Sequence, residues 1–348
     1  MWIEVLCSIP ALLAAGYLGI KLCCPWLLLD ISYVIKVVPK VARLRKLIAN
    51  KHFMIEHFED TVKSSPDRAF LVYEDQRFTY KEANTLASKV ARTMLSLGLK
   101  MGDTISLVQY NTPEFIWMYL GCMKIGVRIS LINTNLHGKA LLHCLNVSET
   151  NIIVTGSDTE LISAVDEVLC DLPDAVVYVI GCPSNQLPSR FVSLQGKIDA
   201  ADSDDIDPAL RSGHSASDPV VYIFTSGTTG LPKAATVTNQ RMMSSSVISG
   251  IFGIAADDII FVTLPLYHSN ALIVGVCCAI CQGSTVALVK KFSRTNFWKD
   301  VRRHKATVFT YIGEMCRFLL TNDKSDQDKN HCVRMAKRKI LKKQKHLV

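Results

Sequence analysis

A run of glycines and hydroxyl-bearing residues follows an apolar segment in the second half of the chain. Residues 220–224 are Val-Val-Tyr-Ile-Phe, and residues 225–233 read Thr-Ser-Gly-Thr-Thr-Gly-Leu-Pro-Lys. Glycine lets the backbone approach a ligand closely, hydroxyls and consecutive main-chain N–H groups can surround an anion, and lysine adds a point charge for phosphate. The pattern predicts a phosphate-binding loop. Its candidate residues are Tyr222, Thr225, Ser226, Gly227, Thr228, Thr229, Gly230 and Lys233.

Other kinds of chemistry have weaker support. The loop lacks the Gly-x-x-x-x-Gly-Lys-Ser/Thr spacing of a Walker A motif. A flexible linker, the simplest alternative, does not explain the apolar strand before the loop or the Pro-Lys exit after it. Cys278-x-x-Cys281 has no second ligand pair nearby, so no metal site is predicted. The sequence shows no Ser-His-Asp or Cys-His arrangement, and we assign no catalytic residue.

Alternating helices and strands must position this loop. Apolar residues recur at helical spacing over 80–97 and stop at Gly98, and Pro113 opens a second helix that ends at Gly126. The other predicted elements are strands Thr104–Val108, Val127–Ile132, Ile152–Thr155, Val176–Ile180 and Thr307–Thr310, and helices 137–146 and Ala271–Ile280. This alternation predicts an α/β fold with parallel sheets covered by helices. Residues 183–218, rich in Ser, Asp and Pro, are predicted to form a connecting surface stretch.

Composition and charge restrict the class of protein. The chain has 348 residues, 49% of them hydrophobic and 20% charged, which is typical of a globular protein. The net charge of +8 comes from the ends: residues 1–51 carry seven Lys/Arg against two acids, and residues 337–348 carry six against none. The body is mildly acidic, so no nucleic-acid partner is predicted. The twelve scattered cysteines indicate buried thiols in a reducing compartment rather than a disulfide framework.

The N-terminal segment is predicted to contact a membrane. From Val5 to Leu29 the only charges are on Lys21, and basic residues follow from Lys36 to Lys51. A cleaved signal peptide is disfavoured because no basic region precedes the apolar run, while prolines and glycines leave open a monotopic or re-entrant anchor. We favour a retained span with the body in the cytosol. Residues 1–51 then form a membrane anchor with a basic juxtamembrane segment that rests on anionic headgroups.

The loop 225–233 resembles the signature of the adenylate-forming enzymes. Other motifs narrow the resemblance to the fatty acid transport protein / very long-chain acyl-CoA synthetase family, and it extends from about residue 1 to residue 336. These motifs are Leu22-Cys23-Cys24-Pro25, Leu264-Pro265-Leu266-Tyr267-His268-Ser269, Lys291-Phe292-Ser293 with Phe297-Trp298, and Tyr311-Ile312-Gly313-Glu314 with Cys316-Arg317.

The resemblance implies a two-step ligase reaction. A long-chain or very long-chain fatty acid would react with ATP and Mg²⁺ to give an acyl-adenylate, and coenzyme A would then displace AMP. It also implies that His268, Tyr311 and Glu314 belong to the substrate pocket, although Glu314 could instead cap a helix. The apolar helix Ala271–Ile280 is expected to be core rather than an acyl tunnel. The expected compartment is the endoplasmic reticulum membrane, with the peroxisomal and plasma membranes as alternatives.

The sequence departs from the family pattern after residue 336. Residues 337–348 form a divergent basic tail, so residues 52–336 are expected to be an incomplete AMP-binding domain without the C-terminal domain that carries the family's catalytic lysine. Two hypotheses follow: a membrane-anchored fatty acid–CoA ligase, or an inactive shortened isoform that binds or transports fatty acid or regulates a partner. A third possibility is an unstable product, because an incomplete domain of this kind leaves an unpaired sheet edge and exposed apolar faces. A homo-oligomer or association with a full-length isoform is left open.

Overall fold

The computed structural model describes residues 16–19, 21–182, 187–225, 230–323 and 325–338. The helices discussed here are α1 Pro25–Ala49, α2 Met54–Ser64, α3 Tyr80–Ser96, α4 Pro113–Lys124, α5 Gly138–Val147, α6 Thr159–Val168, α7 Gln195–Ala200, α8 Asn239–Ser249, α9 Asn270–Gln282, α10 Phe297–Arg303 and α11 Gly313–Leu320. The strands are β1 Ala69–Tyr73, β2 Gln76–Thr79, β3 Thr104–Val108, β4 Arg128–Leu131, β5 Ile152–Gly156, β6 Val176–Ile180, β7 Phe191–Ser193, β8 Pro219–Thr225, β9 Lys233–Thr238, β10 Ile259–Val262, β11 Thr285–Leu288, β12 Val308–Tyr311 and β13 Met335–Arg338.

The strands form two sheets. One has the order β7-β6-β5-β3-β4-β8-β9, and the other has the order β13-β12-β10-β11-β1-β2. Every neighbouring pair is parallel except β8 with β9 and β1 with β2, which are antiparallel at one edge of each sheet. The prediction of an α/β fold with parallel sheets is confirmed.

Buried helices lie between the two sheets. One hydrophobic core contains Leu107 of β3 and Phe261 of β10 together with residues of α3, α4 and α9. All of α4 except Glu114 is buried, because its apolar residues surround the helix axis instead of forming one stripe. A second core covers the outer face of the seven-stranded sheet, where α5 and α6 pack against β5 and β6. The seven-stranded sheet is therefore covered on both faces, as predicted.

The helix signals in the sequence act as expected. The Thr79 hydroxyl accepts a hydrogen bond from the Glu82 N–H at 3.1 Å, and the Thr79 N–H donates to the Glu82 carboxylate at 2.7 Å. This capping box begins α3, and Gly98 at φ +85° follows its end. The predicted helix Ala271–Ile280 lies within α9 and is buried in the core, but residues Asn270–Val276 are wound as a π-helix, which the sequence did not predict.

The stretch 183–218 is more ordered than predicted. It contains β7, which extends the seven-stranded sheet beside β6, and the short helix α7. The prediction of a surface connection was wrong there, because Phe191 and Ile198 are buried despite the polar sequence around them. Arg211, also expected at the surface, is only 4% exposed.

The N-terminal helix reaches the body. The predicted span begins in residues 1–15, which are outside the described part of the chain. Within the described part, no single helix is both long and apolar enough to cross a membrane, and the stretches Gly16–Cys23 and Trp26–Ala49 meet that test only as a pair bent by 108°. Near the end of α1, Leu44 is buried in the core and the Lys40 ammonium donates to the Gly250 carbonyl at 2.7 Å.

The described start of the predicted basic tail is part of a sheet. Lys337 and Arg338 belong to β13, where they pair in register with Thr310 and Tyr311 of β12. Residues 339–348 are outside the described part of the chain.

Candidate active site

The carboxyl ends of strands from both sheets meet at one crevice, and Asn111 joins them. Asn111 follows β3 and is 3% exposed. Its side-chain N–H group donates to the Leu264 carbonyl at 2.9 Å and to the Val289 carbonyl at 3.2 Å, and its oxygen accepts from the Leu266 N–H at 2.8 Å. The loops after β3, β10 and β11 are thereby held together. Ligands of open α/β sheets bind outside the carboxyl ends of the strands.

We call the space at this junction the crevice cleft. It has a volume of about 190 Å³. Its walls come from the loops after β3 and β4 on one side and the loops after β10 and β11 on the other; the lining residues are Tyr110, Asn111, Thr134, Asn135, Thr263, Pro265, Tyr267, Lys290, Lys291 and Phe292. The Asn135 amide donates to the Tyr267 hydroxyl at 3.1 Å and so links the two walls.

The predicted phosphate loop is the tip of a hairpin formed by β8 and β9. Thr225 pairs with Lys233, and the Thr225 hydroxyl donates to the Lys233 carbonyl at 3.3 Å. A 3.0 Å hydrogen bond between His143 Nε2 and the Pro232 carbonyl holds the exit of the loop. Since Ile223 pairs with Leu131 of β4, the loop starts alongside the segment 133–135 that enters the crevice cleft.

The described flanks of this loop fit a phosphate ligand. Thr225 and Lys233 are exposed, and because the Thr225 hydroxyl donates to the Lys233 carbonyl, the Lys233 ammonium is the donor that this end of the hairpin offers. Gly230 has φ +108°, a left-handed conformation that favours glycine, and a Cβ there would meet no atom of the described residues within 4 Å. The space needed beside an anion is therefore open at this end of the loop. Ser226, Gly227, Thr228 and Thr229 lie outside the described residues.

Tyr222 lies apart from the described flanks of the predicted phosphate loop. Residues three apart in a strand face opposite sides of the sheet, so Tyr222 and Thr225 diverge. Tyr222 lines a surface cleft with Thr104 and Arg128, the first residues of β3 and β4, and with Thr236 of β9. A contact between Tyr222 and phosphate stays a prediction.

His268 stands beside the crevice cleft after β10. Its N–H donates to the Pro265 carbonyl at 3.0 Å in a turn that leads into α9. The imidazole meets the Tyr267 ring edge-on, with ring centres 4.6 Å apart. Partial burial lowers the pKa of His268 below its usual value, which favours the neutral imidazole at neutral pH. Burial raises the pKa of the Tyr267 hydroxyl, which stays protonated.

Tyr311 and Glu314 take different positions. The Tyr311 carbonyl, at the end of β12, accepts a hydrogen bond from the Asn270 amide at 3.2 Å, which connects it to the start of α9 two residues after His268. Glu314 lies in the first turn of α11, where its carboxylate pairs with Arg317 and both side chains are exposed. None of the three predicted pocket residues, His268, Tyr311 and Glu314, is among the residues that line the crevice cleft.

Sequence reasoning missed part of the site. Asn111, Tyr110 and Asn135 were not candidates, although each follows a strand at the edge where ligands bind. The usable signal was their position just after a parallel strand. Among the described residues, no group of three or more His, Cys, Asp or Glu side chains could hold a metal ion.

Comparison with known proteins decides the family. A family model described as AMP-binding enzyme matches residues 58–342. The chain belongs to the AMP-binding enzyme family. The family match covers the crevice cleft and both flanks of the phosphate loop.

Relatives support the narrower resemblance. Mouse long-chain fatty acid transport protein 6 is 36% identical over 331 residues, which cover 93% of this chain and 53% of that protein. The medium/long-chain-fatty-acid–CoA ligase FadD6 of Mycobacterium tuberculosis is 34% identical over 281 residues, which cover 80% of this chain and 45% of that protein. The predicted similarity to fatty acid transport proteins is confirmed. The chain spans about half the length of these curated relatives.

Solved structures agree on the fold. The anthranilate CoA ligase AuaEII, in complex with anthranoyl-AMP, matches with a TM-score of 0.75 at 17% identity over 82% of this chain and 54% of that one. A putative long-chain-fatty-acid CoA ligase from Rhodopseudomonas palustris matches with a TM-score of 0.71 at 20% identity over 83% of this chain and 70% of that one. At these identities the likeness concerns the fold alone.

Proposed function

We propose that the chain works as an ATP-dependent ligase that joins long-chain or very long-chain fatty acids to coenzyme A. The main support is the hairpin of β8 and β9, whose tip carries the phosphate-loop sequence and starts alongside the crevice between the two sheets. Family membership supplies the nucleotide class, because the matching family is that of AMP-binding enzymes. The fatty acid is inferred from relatives named as fatty acid transport proteins and as a fatty acid–CoA ligase.

The proposed reaction needs no protein nucleophile. A carboxylate oxygen of the fatty acid bonds to the α-phosphorus of ATP while the bond to the bridging oxygen breaks, and pyrophosphate leaves. The thiol sulfur of coenzyme A then bonds to the acyl carbon, its proton passes to solvent, and AMP leaves with the former carboxylate oxygen. Both steps are governed by positioning and charge neutralisation, which a rigid crevice with cationic loops can supply.

In this proposal, different residues bind the nucleotide and the fatty acid. Lys233, at the base of the hairpin tip, binds phosphate oxygens of ATP, and the Thr225 hydroxyl joins it by exchanging its 3.3 Å hydrogen bond to the Lys233 carbonyl for one to phosphate. Mg²⁺, when bound with the nucleotide, neutralises further phosphate charge. His268, largely neutral at neutral pH because of its lowered pKa, borders the acyl group. Tyr311 and Glu314, at the end of β12 and the start of α11, complete the substrate side of this proposal.

A membrane is the proposed second partner. The first half of α1 exposes large apolar side chains such as Trp26, Ile31 and Ile35, which are 74%, 45% and 66% exposed. Arg43, Arg45 and Lys46 follow on the same helix, so an apolar surface passes into a cationic one, as lipid contact requires. The endoplasmic reticulum is the proposed compartment. Failure of the chain to float with anionic vesicles would count against the membrane proposal.

Pyrophosphate release tests the ligase proposal. The purified chain, given ATP, Mg²⁺ and palmitate or lignocerate, is expected to release pyrophosphate in proportion to the fatty acid consumed. Lys233→Ala removes the phosphate-binding charge and is expected to lower the rate by roughly a hundredfold, the scale of losing an electrostatic contact in an active site. Lys305→Ala, an exposed lysine after α10, is the matched control and should keep the wild-type rate.

The alternative inferred from the sequence, an inactive chain that binds fatty acid, predicts a different result. It requires fatty acid binding, measured by displacement of a fluorescent fatty acid, without any pyrophosphate release. Pyrophosphate release that Lys233→Ala leaves unchanged would contradict the role assigned to the hairpin.

A further inference from the structure

Two adjacent lysines after β11 lie in the wall of the crevice cleft, and both ammonium groups lie near the Tyr110 ring. Lys290, 5.5 Å from the centre of that ring, also forms an ion pair with Asp158. The Lys291 ammonium lies 4.2 Å from the centre of the Tyr110 ring, and among the described residues no carboxylate is within ion-pair distance of it. An aromatic face attracts a cation without providing a charged acceptor. Lys291 therefore keeps N–H donors that can bind an anionic ligand.

The remaining lining residues indicate the chemistry of that ligand. The rings of Tyr110 and Phe292 offer planar apolar surface, and Thr134 and Asn135 on the opposite wall offer a hydroxyl and an amide. Rings, neutral hydrogen-bonding groups and one unneutralised cation together suit a nucleotide group that carries phosphate. The volume of about 190 Å³ is below that of pockets that enclose a whole ligand, roughly 300 to 1,000 Å³, so the cleft would hold one end of a longer molecule.

The loop that carries Lys291 is tied to neighbouring loops. Asn111 bonds to the carbonyl of Val289, the residue just before Lys290, and to the loop after β10. The Lys290–Asp158 pair ties the same loop to the end of β5. The two residues that precede Lys291 are thus held by contacts from two other loops.

Lys291 and Lys233 belong to different sheets. Lys233 begins β9 at the edge of the seven-stranded sheet, whereas Lys291 follows β11 in the six-stranded sheet. The proposed reaction uses two phosphate-bearing co-substrates, and the hairpin accounts for ATP. We propose that Lys291, together with Tyr110, binds a phosphate group of coenzyme A; this inference rests on the proposed ligase function.

Calorimetric titration of the full chain with coenzyme A and, separately, with MgATP tests this assignment. The variants are Lys291→Ala, Lys291→Arg and the matched control Lys299→Ala, an exposed lysine on α10. Lys291→Ala is expected to weaken coenzyme A binding by roughly tenfold, the scale of one charge-assisted hydrogen bond. MgATP affinity should stay within twofold, Lys291→Arg should retain most of the coenzyme A affinity, and the loss should shrink as salt is raised.

Several results would overturn the assignment. These are a wild-type chain without measurable coenzyme A affinity, equal coenzyme A affinities for Lys291→Ala and Lys299→Ala, and a Lys291→Ala defect confined to MgATP. Coenzyme A binding that depends on Lys291 in a chain that does not bind MgATP would support the cleft site and contradict the proposed ligase function. The two proposals can therefore fail separately.

Discussion

The buried helix α4 is held at its two ends by different kinds of polar contact. At its carboxyl end, Arg211 donates to Glu56 at 2.8 Å, to Glu59 at 2.6 Å and to the Lys124 carbonyl at 3.1 Å. The Lys124 ammonium, 1% exposed, pairs with Glu59 at 3.2 Å. At the other end, about 18 Å away along the helix axis, the neutral Asn111 makes three hydrogen bonds to two loops.

The two ends of α4 differ in whether they leave a charged group that could bind a ligand. Glu56, Glu59, Lys124 and Arg211 contain two acids and two bases, and each finds a protein partner, so this end has no charge left for a ligand. At the Asn111 end, an uncharged side chain holds the loops together, and the ammonium of Lys291 keeps unused donors. If the crevice binds phosphate as proposed, the neutral Asn111 suits that role, because a charged side chain in its place would compete with the loop lysines for the ligand.

Breaking the charged end should have the largest effect on stability. Arg211→Met leaves Glu56 and Glu59 without their guanidinium partner in a largely buried site, and burial already lowers the pKa of Lys124. The free energy of unfolding, measured with denaturant, is expected to fall by about 3–5 kcal/mol. Arg190→Met, which breaks a surface pair with Asp166, is the control and should cost below about 1 kcal/mol. Similar losses for the two variants would refute the special weight given to the Arg211 network.

Low pH should lower the stability of the folded chain through His57, which lies on α2 between Glu56 and Glu59. Burial, with repulsion from His52 and Arg43, lowers the pKa of His57 to about 4 in the folded chain. Because this is below the usual value of about 6.5, protons bind the unfolded chain more tightly. The stabilisation of the folded chain that depends on neutral His57 is complete above pH 6.5. It is lost as the pH falls to about 4, which lowers the free energy of unfolding by about 3 kcal/mol.

The His57→Gln variant isolates the contribution of His57 to the pH dependence of stability. Its unfolding free energy should fall less than that of the wild type between pH 6.5 and pH 4, whereas His137→Gln, at an exposed histidine, should follow the wild-type curve. Parallel curves for His57→Gln and wild type would mean that carboxylates alone govern the acid response.

Local signals in the sequence predicted the framework well. The Thr79–Glu82 capping box, Gly98 and the apolar strands each have a physical reason to form where they do. The phosphate-binding role of the loop 225–233 stays a prediction. The sequence did not reveal β7, because a short strand with one buried residue, Phe191, resembles a loop. Nor could it reveal that Asn111 meets Leu264 and Val289, since contacts between residues more than 150 positions apart depend on the packing of two sheets.

Arg211 and Lys124 show the same limit. A lone arginine in a polar stretch is predicted to be exposed, and only the tertiary structure places it between two glutamates. Lys291 lies in a motif that identified the family, but its partner Tyr110 follows β3, far away in the chain. The part of the candidate site that lies in one continuous segment could therefore be predicted from the sequence. The part that is formed by loops from two sheets could not.

Removal of the Asn111 side chain should lower stability less than removal of the Arg211 guanidinium, but it should also weaken ligand binding. Asn111→Ala leaves the Leu266 N–H and two carbonyls without their partner, and the free energy of unfolding is expected to fall by about 2 kcal/mol. Because the loops after β10 and β11 would lose their common contact, coenzyme A affinity should fall together with the rate of pyrophosphate release. Asn146→Ala, which removes an exposed amide on α5 outside the crevice cleft, is the control for the loss of an asparagine side chain. If Asn111→Ala binds coenzyme A as tightly as Asn146→Ala does, the Asn111 contacts support the fold alone and do not shape the ligand site.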